Sequence, residues 1–135
     1  MNSRTADVLR AGLVAAALSG LPSTVVTAAE GGDLLASTRA VGSTIGSGRH
    51  PLATGALAHV AISVGWAAVI ARTLPRRHPV AEGAAAGLAI ALLDLAVVAR
   101  RLPRLRALPP GRQWADHVAY GVTVALALPR RGRCG

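Results

Sequence analysis

Residues 52–71 read LATGALAHVAISVGWAAVIA, residues 80–99 read VAEGAAAGLAIALLDLAVVA, and only RTLPRRHP lies between them. Each stretch is 20 residues long. As an α-helix at ~1.5 Å per residue, each would cover about 30 Å, the thickness of a bilayer's hydrocarbon core. The first stretch is uncharged, and the second carries only Glu82 near its start and Asp94 deep inside. A short proline-bounded link between two such helices predicts an antiparallel helical hairpin.

Two further apolar stretches flank this hairpin. Residues 11–29 (AGLVAAALSGLPSTVVTAA) hold no charge and follow Arg4 and Arg10, while residues 114–128 make a shorter run of 15. The expected fold is all-α: a single domain over 1–135 forming a transmembrane four-helix bundle, with helices at about 11–29, 52–73, 80–99 and 113–128. The fourth helix is short for a span, and reaches across only if Arg112 and Arg130 snorkel or the bilayer thins. A re-entrant or interfacial helix is its alternative. The first stretch has the alternative of a cleavable signal peptide, with Val26, Thr27 and Ala28 ahead of Ala29.

Composition agrees with a bilayer protein. The chain is 52% hydrophobic yet has no Phe, one Tyr and two Trp, so its apolar mass is Ala, Leu, Val and Gly. Membrane helices approach one another through small residues, whereas a soluble core of this size leans on aromatics. All fifteen basic residues are Arg and the net charge is +9. The arginines sit at the ends of apolar runs with no aromatic interleaving, which argues against nucleic acid and for the anionic headgroups of a lipid bilayer. The single Cys134 provides neither a disulfide nor a Cys-based metal site. Multi-pass residence in the inner membrane follows, with a homodimer or a membrane-protein partner as the other candidate contacts.

Two further connections are informative. Residues 100–112 (RRLPRLRALPPGR) interleave Arg with Leu and three prolines, and read as an interfacial strap. Residues 33–40 (DLLASTRA) have the pattern of a short surface helix. With the N-terminus inside, eight arginines fall on the cytoplasmic side and seven on the other, which is almost no bias for the positive-inside rule to act on.

Polar residues inside the spans are the candidates for chemistry, because an ionisable group in hydrocarbon costs at least ~2.5 kcal/mol and needs a partner or a wet cavity. They are Ser19, Ser23, Thr24 and Thr27 in the first span, His59 and Ser63 in the second, Asp94 in the third, and Asp116, His117 and Tyr120 in the fourth. His59 and Asp94 are equidistant from the Arg76–Arg77 turn, so the hairpin reading puts them level and predicts a buried pair. Small residues at four-residue spacing (Gly12, Ala16 and Gly20; Gly83, Gly87 and Ala91) predict close helix packing within the chain.

No P-loop, nucleophile elbow, dinucleotide fingerprint, HExxH or CxxC motif occurs, so no enzyme class gains support and no cofactor is expected. An accessory or structural membrane subunit is the leading reading. A small transporter or channel, with a polar chamber around His59 and Asp94, is the first alternative. A haem or metal protein is the second, using His59 and His117 as axial ligands or His59, His117, Asp94 and Asp116 as a ligand set. SGLPST at residues 19–24, the G-x-x-x-H-x-x-x-S pattern at 55–63, Asp94, and QWADHVAYG at 113–121 resemble the small four-span membrane proteins of high-GC bacteria. That resemblance implies the topology and no activity. The chain departs from the small multidrug transporters in lacking a Glu within its first span.

Overall fold

A computed structural model describes residues 2–45, 49–98, 100, 103 and 108–129. It is 83% helix, with no strand among the described residues. Among the described residues the α-helices are, in chain order, α1 (Ser3–Leu18), α2 (Leu21–Ala29), α3 (Ala36–Ile45), α4 (Pro51–Thr73), α5 (Pro79–Leu93) and α6 (Pro110–Ala127). A π-helical turn, Asp94–Val98, extends α5.

Among the described residues, three segments are long and apolar enough to cross a membrane: Ser3–Ala29, Pro51–Thr73 and Pro79–Val97. The first begins eight residues before the apolar run. Asn2 explains the extension, because its Oδ1 accepts from the Thr5 backbone N–H (2.8 Å) and hydroxyl (2.6 Å) and so starts the helix. The same span is interrupted at Ser19 and Gly20. Pro22, in the first turn of α2, has no N–H to bond the carbonyl one turn back.

Proline also sets the other boundaries. Pro51, Pro79 and Pro110 each occupy the first position of a helix, where a missing N–H costs nothing. Leu74 and Leu128, which precede Pro75 and Pro129, turn extended and end α4 and α6. In the turn after α4, Arg76 is left-handed (φ 59°). The Glu82 carboxylate there accepts the backbone N–H groups of Arg76 (2.5 Å), Arg77 (2.9 Å) and His78 (2.9 Å). Successive N–H groups around a left-handed residue form an anion-binding nest, so Glu82 is a cap for α5 rather than a stray charge in a span.

Two expectations need correction. The sequence-adjacent spans α4 and α5 are not principal packing partners: α5 lies against α6, while α4 lies against α1 and α3. An apolar cavity of about 250 Å³, walled by Trp66, Ile70, Leu74, Ala86 and Ile90 among others, separates α4 from α5 near their turn. Glycine positions explain the exchange. A Cβ on Gly83 would come within 2.6 Å of the Gly121 carbonyl oxygen and 2.8 Å of Val122 Cα, and one on Gly87 would run into the His117 carbonyl. The α5 and α6 backbones therefore touch. The second correction concerns the surface helix expected at 33–40. It forms at Ala36–Ile45 and packs on α4, with Gly42 against Pro51 and Gly55 against Thr38.

The interior combines small residues with a few larger aliphatic side chains and one tyrosine. Ala11, Ala15, Ala67, Ile70, Ile90, Tyr120, Val124 and Leu128 form the core, and Ser19 and Ser63 are buried with them. Large aliphatic side chains face outward: Leu57 is 73% exposed, Val25 64% and Leu92 59%. This reverses the pattern of a water-soluble domain, in which buried polar groups and large exposed apolar faces are the exceptions. Six of the thirteen residues of the strap expected at 100–112 lie outside the described residues, as do Ala99 and Cys134.

The backbone contact at Gly87 leads to a mutational test. Gly87→Val should overpack the α5–α6 crossing and cost about 1–3 kcal/mol of stability, read as a lower midpoint of thermal unfolding in mild detergent. Gly65→Ala, whose Cβ would meet nothing within 4 Å, should leave the midpoint unchanged or raise it, alanine being the better helix former.

Candidate functional site

The polar residues of the bundle converge on α6. Its first turns carry Arg112, Asp116 and His117, and Tyr120 follows one turn on. Arg112, Asp116 and Tyr120 stand at i, i+4 and i+8, one face of a helix. Between them these four side chains reach α2, α4 and the π-turn that extends α5.

Arg112 donates from Nη1 to the Thr27 hydroxyl (2.9 Å) and from Nη2 to the Glu30 carboxylate, fastening α6 to the end of α2. Asp116 Oδ1 accepts the Ser23 backbone N–H (2.9 Å). That N–H belongs to the first turn of α2, just past the break, where helix geometry supplies no partner. The Tyr120 hydroxyl donates to the Ser63 carbonyl of α4. On the opposite flank, His117 Nδ1 bonds the Gln113 carbonyl (2.7 Å), and its Nε2 lies 2.9 Å from Asp94 Oδ2 at the start of the π-turn. Side chains lean toward the N-terminus of their own helix. In the antiparallel α5–α6 pair, Asp94 and His117 therefore lean toward each other.

Between α2, the α2–α3 connection and the start of α6 lies a polar cavity of about 220 Å³. Ser23, Thr27, Asp33, Arg112, Gln113 and Asp116 are among its walls. Asp33 also starts the approach to α3: its carboxylate accepts the Leu35 N–H (3.0 Å) and pairs with Arg39.

Of the sequence candidates, Ser23 meets Asp116 and Asp94 meets His117. His59 does not meet Asp94: its Nε2 bonds the Ala16 carbonyl of α1 at 3.0 Å. The expected His59–Asp94 pair rested on α4 and α5 being neighbours, and α6 takes the place that α4 was to fill. Ser63 is buried, but it serves the site through its backbone carbonyl. Among the described residues no three His, Cys, Asp or Glu come together as a metal-binding group, and the four-residue set of His59, His117, Asp94 and Asp116 is split between separate partners. Arg112 and Glu30 were missed as site residues. Their reciprocal charges, 82 positions apart, carry no local signal, although the i, i+4, i+8 spacing on α6 was there to be read.

The Asp116 bond can be tested through the acceptor that it supplies. Asp116→Leu leaves the Ser23 N–H unsatisfied in an apolar setting and should cost about 1–3 kcal/mol in thermal or denaturant unfolding, whereas Asp116→Asn keeps an acceptor and should lose less. Equal losses in the two variants would show that charge, not the hydrogen bond, ties α6 to α2. Comparison of the chain with protein-family models, with curated proteins and with solved structures finds no match in any of the three.

Proposed function

We propose that the protein is a multi-pass integral membrane protein of four spans, resident in the bacterial inner membrane, acting as an accessory or structural subunit. The observation that supports this reading is how its intramembrane polar groups are used. Asp116, His117, Tyr120 and His59 each bond another helix of the same chain. Groups used this way hold helices together, in a medium that gives apolar side chains no reason to associate. The exposed faces around Leu57, Ile62, Val25 and Leu92 then meet acyl chains or the helices of a membrane partner, and the terminal arginines meet anionic headgroups.

The fourth span in this reading is α6. Its 18 residues cover about 27 Å. Its charged first turns lie beside the end of α2, where Arg112 meets Glu30, and Arg10 at the other end donates to the Ala127 carbonyl (3.2 Å). Bracketed at both ends by the first span, α6 runs alongside it for nearly its whole length. Reporter fusions at Gly32 and after Pro129 test the count. Three spans separate these positions if α6 crosses, so the reporters should lie on opposite sides of the membrane. Reporters on the same side would make α6 interfacial and remove the fourth span.

A small transporter or channel is the second reading, favoured by the polar cavity beside Arg112 and Asp116. Purification in mild detergent separates the two. A stoichiometric membrane-protein partner is expected for an accessory subunit, and a partner-free homodimer for a transporter.

A further inference from the structure

We propose that Asp94 and His117 form a site that holds one exchangeable proton inside the bundle. The inference comes from counting donors and acceptors around the imidazole. His117 Nδ1 lies 2.7 Å from the Gln113 carbonyl oxygen. A carbonyl only accepts, so Nδ1 carries a hydrogen. In a neutral imidazole the other nitrogen is then a bare acceptor. That nitrogen, Nε2, faces Asp94 Oδ2 at 2.9 Å, and an ionised carboxylate also only accepts. Two lone pairs cannot make this contact. One more proton must sit between them, either on Nε2, giving imidazolium and carboxylate, or on Oδ2, giving imidazole and carboxylic acid.

Both arrangements are electrically neutral overall and both satisfy every donor. Losing the proton to water leaves one net negative charge between α5 and α6 and turns their hydrogen bond into a repulsion. The Asp94 and His117 side chains keep 34% and 22% of their surface accessible, so the pair sits at the edge of the α5–α6 packing rather than sealed within it. The position within the fold gives release a consequence. Asp94 opens the π-turn Asp94–Val98, and π-turns are irregularities that recur where helices serve a function. Proton release would free this turn from α6, while the glycine crossing nearer the other end of α5 holds.

Among the described residues, the charged groups of the helices packed around the pair are bonded elsewhere. On α6, Asp116 adds a second carboxylate field on His117 while bonding the Ser23 N–H, and Arg112 is engaged by Thr27 and Glu30 of the α2 end. His59 of α4 is bound to Ala16 of α1. Glu82 of α5, with Asp7 and Arg10 of α1, belongs to the opposite end of the bundle.

Nitrogen-15 NMR of the full chain in bilayers, titrated with pH, tests the site directly. At neutral pH His117 should show either both ring nitrogens protonated beside an ionised Asp94, or Nδ1–H alone beside a protonated Asp94. One proton should leave as the pH rises. A His117 protonated only on Nε2, or a neutral ring beside an ionised Asp94 already at neutral pH, would overturn the proposal. Asp94→Asn assigns the second half of the site, since an amide N–H can donate to bare Nε2 without an extra proton. The variant should keep the helix contact, hold His117 neutral with Nδ1–H and lose the titration step completely. Persistence of that step would equally overturn the pairing.

Discussion

The contact of Gly83 and Gly87 with Gly121 is the constraint on which the rest of the bundle depends. At this crossing the backbones of α5 and α6 come so close that a Cβ on any of the three would overlap backbone atoms of the other helix. Between helices that cross a membrane, close approach of this kind and the hydrogen bonds that it permits are what favour association. Once α6 is pressed against α5, His117 falls within reach of Asp94. The rest of the α6 surface then turns to α1, α2 and α4, where Tyr120 and Asp116 find Ser63 and Ser23.

The break in the first span and the acid of the last explain each other. A backbone N–H without a partner is costly in a medium that has no water to supply one. Gly20 and Pro22 interrupt the ladder of the first span, and the Ser23 N–H is left for a neighbour to satisfy. Asp116 does so, and in return gains a donor for an oxygen that would otherwise be stranded. Glu82 plays the corresponding part at the other end of the bundle, gathering three N–H groups of the Arg76 turn. Carboxylates that look anomalous in an apolar sequence thus stand where the helical ladder is interrupted or has yet to begin.

Much of the fold was legible in the residues themselves. Length and apolarity located the long helices, and prolines marked where helices start and stop, because the missing N–H and the restricted residue before it act locally. The start of α1 was misjudged because apolarity delimits a span whereas a cap delimits a helix, and Asn2 lies well outside the apolar run. The polar residues that would matter were also visible, since Ser23, Asp94, Asp116, His117 and Tyr120 stand out against alanine and leucine.

Their partners were not legible. Which helix lies beside which depends on matching small faces across the bundle, and in spans so rich in alanine and glycine many matches look alike until the backbones are placed. Chain order suggested that α4 and α5 pair and that His59 meets Asp94. The crossing at Gly87 and Gly121 gave that place to α6 and His117 instead. Hydropathy and local backbone chemistry suffice to specify an all-helical chain with apolar stretches and a few polar residues inside them. Which polar groups meet depends on how closely the backbones of helices distant in the chain approach, as at Gly83, Gly87 and Gly121.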